Sequence, residues 1–473
     1  MMAIQLDEAT LRGVVEEVLL SLGGNGRLPA AAGASAATVT PASAAAKPKS
    51  AARPAAIRGH GIFDDAGEAA EAAAGAFEQL REKGLAARRK VVEIVKGLCN
   101  RNALAWGDYE FAETGIGRRE HKVEKLKIVQ HVPGVEWLHP YGMSGDHGIT
   151  LEEYTPFGVV GAILPVTHSI PTLAGNVISI VAAGNAVVFN PHPGGARSAA
   201  LAVKAFNEAI ERETGIRNLV CTVARPTLDS FAALCASPHV RLLCVTGGPG
   251  VVNAAMKSGK RAICAGPGNP PVLVDDTVCP DKAARDIVTG AAYDNNLLCI
   301  GEKEVFVLDE VFDKLMQGFE KAGAVRLDAS QLERLTAAAF TTRPDAGGCS
   351  HAAVNRDLIG RDAALLARHA GLEVPEDTPL LVAETPPDHL FVVEEQMMPM
   401  LPIVRVKSVE EGIARAREAE HGYRHSAIIH SLNVDRMTAM ARALDTTLFV
   451  KNGPCTAGLG LGGEGYLSYS IAT

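Results

Sequence analysis

From Gly158 onward the chain is punctuated by short apolar runs rich in valine and isoleucine: VVGAILPV, AVVFN, NLVCTV, RLLCVTG and PVLVD. Each is followed by a stretch with helical spacing. Short apolar runs alternating with helices predict a parallel sheet, because a crossover helix is what brings the next strand back in parallel. A second series, EVFVLDE, HLFVVEE, LPIVRV and HSAIIHS, predicts a second sheet. Ahead of both, residues 65 to 131 alternate alanine-rich and charged helical patterns, as in EAAEAAAGAFEQL and ARRKVVEIVKGLC. The expected fold is α/β, with two doubly wound domains and a cleft between them.

The first 56 residues have a different character. In DEATLRGVVEEVLLSL, residues 7 to 22, the positions Leu11, Val14, Val15, Val18, Leu19 and Leu22 form one stripe on a helix. About four turns long, such a helix needs a partner surface for its stripe. Residues 27 to 56, RLPAAAGASAATVTPASAAAKPKSAARPAA, contain Leu28 and Val39 as their only large apolar residues. Such a segment buries too little to offset its ordering entropy and is expected to be a disordered tether. An amphipathic helix on a tether fits docking to another protein or self-association, and the pattern leaves both open. The expected division is 1–24 helix, 25–56 linker, 57–266 and 267–445 the two α/β domains, and 446–473 a segment returning to the first.

Composition narrows the class. Of the 473 residues 47% are hydrophobic and 21% charged, the balance of a soluble enzyme, and scarce aromatics (5%) suit close packing of small residues. A net charge of -8 excludes broad nucleic-acid binding, which needs clustered lysine and arginine. The nine cysteines include no C-x-x-C pair, so no metal site is expected. No apolar run reaches membrane-spanning length, and no secretory signal opens the chain, so no membrane partner and a cytoplasmic location are expected.

Four blocks carry chemistry. In PFGVVGAILPVTHSIPTLAGNVISIVAAGNAVVFNPHPGG, residues 156 to 195, a strand runs into Pro165 and Thr167, and a second ends at Asn190-Pro191-His192-Pro193. In VTGGPGVVNAA, residues 245 to 255, Gly247, Gly248 and Gly250 lie between a strand and a helix, where backbone N–H groups can face a phosphate. Ordinary βα turns use glycine too. The third block is AGPGNPPVLVD, residues 265 to 275. In the fourth, YDNNLLCIGEKEVFV, Cys299 follows Asp294-Asn295-Asn296 and precedes Gly301-Glu302-Lys303, polar surroundings compatible with a reactive thiol.

Together with EHGYRHSA (420–427) and KNGPCTAGLGLGGEGY (451–466), these blocks resemble the aldehyde dehydrogenase superfamily. More narrowly, they resemble its CoA-acylating branch found with bacterial microcompartments, of the propionaldehyde-oxidising kind. The resemblance covers residues 57 to 473. It implies NAD and coenzyme A as co-substrates, a short-chain aldehyde as substrate, and a homo-oligomer. Relatives carry a C-terminal tail that helps them oligomerise, and since this sequence stops at Thr473 it is either a piece of a longer chain or assembles differently. Cys299 takes the nucleophile's place. Pro165, Asn190, His192, Pro193, Gly247, Gly248 and Gly266 fall in the cofactor site, as do Met397 and Glu395, the latter matching the glutamate that holds the nicotinamide ribose. Thr167 and His168 stand where family members place an oxyanion-hole asparagine, and His421 is a candidate for assisting CoA. Residues 7–22 resemble an encapsulation peptide, which implies shell proteins as partners and the microcompartment lumen as location.

One departure bears on the reaction. Hydrolytic members carry a glutamate base where this chain has Ala265, 34 residues before Cys299. A thioester on Cys299 is then expected to wait for CoA, whose thiol ionises more readily than water. NAD is favoured over NADP by family habit, although Asn190 replaces the lysine many relatives use. Propionaldehyde is expected ahead of acetaldehyde, a preference that one methylene, worth about 1–3 kcal/mol, leaves narrow.

Overall fold

The computed structural model describes residues 59–344 and 350–472; the segments 7–22 and 25–56 lie outside the described residues. Helix α1 (Ala66–Arg101) opens at Asp65, whose carboxylate accepts the Glu68 N–H at 2.9 Å. Its stripe Ala66, Ala69, Ala70, Ala73, Ala76 and Leu80 is buried, and such small side chains let neighbouring helices approach closely. Gly84, at φ 67°, interrupts the helix. Helices α2 (Ala103–Thr114) and α3 (Arg119–Ile128) follow.

Six parallel strands form the first sheet, in the order β1 (Ile62–Phe63), β6 (Val220–Val223), β5 (Ala186–Pro191), β4 (Val159–Leu164), β7 (Val240–Thr246), β8 (Arg261–Ala265). The chain moves one way from β4 to β6, then returns beside β4 at β7 and moves the other way. A crevice therefore opens between the carboxyl ends of β4 and β7, the place where open α/β sheets bind ligands. Helices α4 (Ser169–Ala182), α5 (Ala196–Thr214), α6 (Leu228–Ala236) and α7 (Pro249–Lys257) make the crossovers.

Seven parallel strands form the second sheet, in the order β11 (Val325–Arg326), β14 (Leu381–Glu384), β15 (Met400–Val406), β10 (Glu304–Leu308), β9 (Pro271–Val274), β16 (Ser426–His430), β17 (Leu448–Lys451). Helix α8 (Pro280–Ala291) leads from β9 toward Cys299, which lies five residues ahead of the start of β10. The run HLFVVEE, expected as a strand, is instead a short helix, Leu390–Val393. His389 Nδ1 accepts the Phe391 N–H at 3.2 Å, and the adjacent residues Phe391 and Val392 are both buried, which strand alternation would not allow on one face. The strand of this region is β14.

Two antiparallel hairpins stand outside both sheets, β12 (Phe340–Pro344) with β13 (Ser350–Val354) and β2 (Tyr141–Gly145) with β3 (Gly148–Glu152). The expected segment 446–473 divides in two: β17 is an edge strand of the second sheet, and only residues near Tyr469 pack on the first lobe. There Tyr469 Oη donates to the Lys125 carbonyl at 3.0 Å and Ser470 Oγ to Asn176 Oδ1 at 2.9 Å.

Candidate active site

The approach to Cys299 is a turn in left-handed backbone. Asp294, Asn295 and Asn296 have φ of 50°, 56° and 64°. Aspartate and asparagine tolerate this region best among side-chain-bearing residues, yet each such residue costs on the order of 1 kcal/mol and needs bracing. Asn295 Nδ2 donates to Gly360 O (3.0 Å) and Asp362 Oδ1 (2.8 Å), while its Oδ1 accepts Arg118 Nε at 2.7 Å. Asn296 Nδ2 donates to the carbonyls of Ala291 (2.8 Å) and Glu302 (2.9 Å). Lys303 Nζ donates to both the carbonyl (2.7 Å) and Oδ1 (2.5 Å) of Asn296. Asp294 accepts the Arg118 N–H at 2.8 Å and the Lys125 ammonium, and its own N–H donates to His121 Nδ1 at 2.9 Å. The polar cluster before Cys299 thus faces inward and holds the loop's shape.

Cys299 itself is partly exposed. Burial pushes its thiol up to about 12, and the Glu395 carboxylate adds to that. The Lys303 ammonium and the backbone N–H groups of Cys299 and Ile300 pull the other way. Glu395 accepts a backbone hydrogen bond from Gly268, and burial raises its carboxyl against the pull of Lys303. A Cβ on Gly268 would lie 2.7 Å from the Cys299 carbonyl oxygen and 3.0 Å from the His425 ring, so glycine is required there. Cys299, Gly268, Glu395, Lys303 and His425 are therefore one neighbourhood. His425 is neutral, brought down to about 4 by burial and then by Lys303, and its Nε2 has no partner.

Thr167 and His168 join β4 to α4. Thr167 is partly exposed, and its carbonyl accepts Lys122 Nζ at 2.6 Å. The His168 ring is buried, with Nδ1 2.9 Å from Lys125 Nζ and a further hydrogen bond to the backbone of Leu297, two residues before Cys299. Below them lies a closed charge cluster of Lys122, Lys125, Glu110 and Asp294, each about 1% exposed or less. Glu110 accepts Lys122 at 3.3 Å with one oxygen and the Ile170 N–H of α4 at 2.9 Å with the other. His421 is exposed, at φ 59°, with its ring against the Val393 carbonyl at 2.8 Å, two residues before Glu395.

The crevice between β4 and β7 holds a cavity of about 160 Å3 lined by Pro165, Asn190, His192, Pro193, Gly247 and Gly248, among others. Gly248 caps α7, at ordinary φ, and a Cβ there would meet nothing within 4 Å. Packing does not require glycine at this point, whereas close approach of a phosphate to the helix N-terminus would. Asn190 braces the start of α6, accepting Ser230 Oγ at 2.6 Å. His192 Nδ1 accepts the Gly194 N–H at 3.0 Å. Gly266 lies in the connection from β8 to β9 and Met397, at φ 48°, in the turn before β15. Neither lines this cavity. Ala265 ends β8, buried, with no carboxylate in its place.

Reasoning from sequence missed Lys122, Lys125, Glu110 and His425. In REHKVEKLKI nothing sets these lysines apart from the other charged residues. The available signal was their spacing of three, which puts both on one side of α3 beside Leu126.

A crevice at the switch point of one parallel sheet and a cysteine on a braced loop of the other fit an oxidoreductase of the covalent, nicotinamide-dependent kind. The chain belongs to the aldehyde dehydrogenase family, whose model matches residues 59–464. It is 44% identical over 415 residues to the acetaldehyde dehydrogenase (acetylating) EutE of Salmonella typhimurium, covering 87% of this chain and 88% of that one. Its structure matches the Rhodopseudomonas palustris propionaldehyde dehydrogenase solved with propionyl-CoA at TM-score 0.83 and 40% identity, over 90% of this chain and 94% of that one. A second structure of that enzyme holds CoA and an acylated cysteine. The propionaldehyde dehydrogenase of the Clostridium phytofermentans fucose utilisation microcompartment matches at TM-score 0.83 and 41% identity, covering 88% and 94%.

Two measurements check this geometry. With the thiol raised, the rate of Cys299 alkylation by iodoacetamide in the free enzyme should keep climbing with pH through pH 10; a plateau below pH 8 would contradict it. Gly268→Ala should retain the circular dichroism of the wild type and lose at least about 10-fold in kcat, as a displaced reacting group does.

Proposed function

We propose that this chain is a CoA-acylating aldehyde dehydrogenase that oxidises a short-chain aldehyde to its acyl-CoA through a thioester on Cys299. The observation that carries this reading is the pairing of Cys299 with Ala265: a nucleophile on a braced loop, and no carboxylate where hydrolysis would place its base. Cys299 thiolate adds to the aldehyde carbon, forming a C–S bond and an alkoxide. The Cys299 backbone N–H is a donor to that oxyanion. A nicotinamide coenzyme, when bound, accepts the hydride, which oxidises the carbon by two electrons. The residues Pro165, Asn190, His192, Pro193, Gly247 and Gly248 would hold its adenosine and pyrophosphate, Gly266 and Met397 would contact it further along, and Glu395 would hold the nicotinamide ribose. Coenzyme A then attacks the thioester carbonyl, the C–S bond to Cys299 breaks, and acyl-CoA leaves.

His421 is proposed to assist the CoA thiol, since its exposed ring stands beside the segment that carries Glu395. Propionaldehyde remains the proposed substrate and acetaldehyde the runner-up. NAD is the proposed coenzyme, in a site whose lining also contains no acidic side chain to repel NADP. The two α/β domains are taken as a nucleotide domain, 57–266, and a catalytic domain, 267–445.

Assembly and location belong to the same reading. Every residue of the β2–β3 hairpin is exposed, including Tyr141, Met143, Ile149 (76%) and Leu151 (70%). An apolar hairpin presented this way marks a protein interface, and a second copy of the chain is the proposed occupant. No helix among the described residues is long and apolar enough to cross a membrane. Residues 7–22 are proposed to dock on microcompartment shell proteins, placing the enzyme in the lumen.

NADH absorbance with propionaldehyde and NAD+ should show sustained turnover only when CoA is present, and none in Cys299→Ala; equal steady turnover without CoA would sink the acylating reading. Deleting residues 1–56 should leave kcat within about 2-fold while abolishing co-purification with shells. If the oligomer dissociates instead, those residues serve self-association. Ile149→Asp with Leu151→Asp should lower the mass measured by light scattering toward one chain of 49.6 kDa.

A further inference from the structure

Thr167 and His168 stand where family members place an oxyanion-hole asparagine, and the surroundings of the His168 ring are unusual. An imidazole can replace an amide donor only if its N–H is on the nitrogen that faces the substrate. Lys125 decides this. An ammonium group has three donors and no acceptor, so at 2.9 Å it must donate to His168 Nδ1. The proton of the neutral ring is then on Nε2, and the ring's other hydrogen bond goes to the backbone of Leu297, two residues before Cys299. Burial, with Lys125 and Lys122, keeps the ring neutral, so Nε2–H is its one donor. Lys125 is itself fixed by Asp294 and stands beside Lys122, which Glu110 holds. Because Glu110 also accepts the first-turn Ile170 N–H of α4, the cluster ties the lysines, the ring and the Cys299 turn into one unit.

We propose that His168, through Nε2–H, is the side-chain donor to the oxyanion that forms on Cys299, and that Lys125 is the positioning residue that fixes its tautomer and polarises it. On addition of the thiolate to the aldehyde, the N–H exchanges the Leu297 backbone for the alkoxide. No bond is broken and no proton leaves the ring. The ammonium behind Nδ1 strengthens the donor in front, as chains of hydrogen bonds do in a low-dielectric site. This inference rests on the covalent mechanism proposed above. It also explains why two lysines are kept fully buried next to a catalytic loop, where burial pushes the Lys125 ammonium down to about 8.

The test is a double-mutant cycle on the full-length enzyme, with kcat and KM for propionaldehyde measured in the presence of NAD+ and CoA. Lys125→Met should lower kcat by about 10- to 100-fold, the range for removing the partner that orients a reacting group, with KM within about 3-fold. His168→Asn supplies an amide that needs no lysine to choose its donor. In that background Lys125→Met should cost at least about 5-fold less than in the wild type, the remainder being the loss of its pairing with Asp294, so the two effects are non-additive. Lys125→Arg, which keeps a donor to Nδ1, should recover part of the loss. An equal loss from Lys125→Met in both backgrounds would overturn the proposal and leave Lys125 a structural residue. Should Lys125→Met fail to fold, 15N NMR of the histidine-labelled wild type decides: protonation of His168 at Nε2 supports the proposal and at Nδ1 overturns it. CoA-dependent turnover by the wild type, lost in Cys299→Ala, is independent of the cycle, so failure here is distinguishable from failure of the mechanism.

Discussion

Two ammonium groups and two carboxylates, buried between α2, α3 and the turn before Cys299, are the constraint on which the active site depends. Taking any one of them out of water unpaired costs several kcal/mol, so Lys122, Lys125, Glu110 and Asp294 hold their places only together. Asp294 is also the first residue of the left-handed turn. The energy that keeps the charges paired therefore also keeps three residues in backbone that side chains disfavour, and that turn aims Cys299. Glu110 extends the arrangement to the first turn of α4. A single buried network thus fixes the end of β4 in one lobe against the loop ahead of β10 in the other.

Around this anchor the chemistry is divided by depth. The nucleotide crevice belongs to the first sheet alone, because its glycines and prolines follow β4, β5 and β7. The thiol belongs to the second sheet, and its immediate companions, Gly268, Glu395 and Lys303, come from the starts or approaches of β9, β15 and β10. A resting thiol held up by burial and a nearby carboxylate is a poor nucleophile until its surroundings change. A positive charge brought beside the thiol, such as that of an oxidised nicotinamide ring, would act in the direction of thiolate.

Much of this was legible in the chain. The apolar runs marked β4, β5, β6, β7, β9, β10, β15 and β16, because buried parallel strands need no alternation, whereas β1, β8, β11, β14 and β17 carried no run that stood out. The glycines after β7 and the prolines after β4 and β5 gave the crevice. HLFVVEE misled because a four-residue apolar run has no periodicity to separate a strand from a helical turn, and the cap from His389 is visible only in three dimensions. The lysines of α3 were missed for a deeper reason. Their partners, Glu110 and Asp294, lie 12 and 172 residues from Lys122, so nothing local announces that this face of the helix is buried. Cys299 stood out by resemblance and by its polar neighbours, which prove to brace the loop.

Everything above turns on an acyl group resting on Cys299 until CoA removes it. The most direct measurement is peptide mass spectrometry of enzyme mixed with propionaldehyde and NAD+, quenched in acid before and after CoA is added. The account predicts a propionyl adduct on the peptide that contains Cys299, stable over many turnover times in buffer and discharged within one turnover by CoA. An adduct that disappears in buffer as fast as in CoA, or none on that peptide, would contradict it.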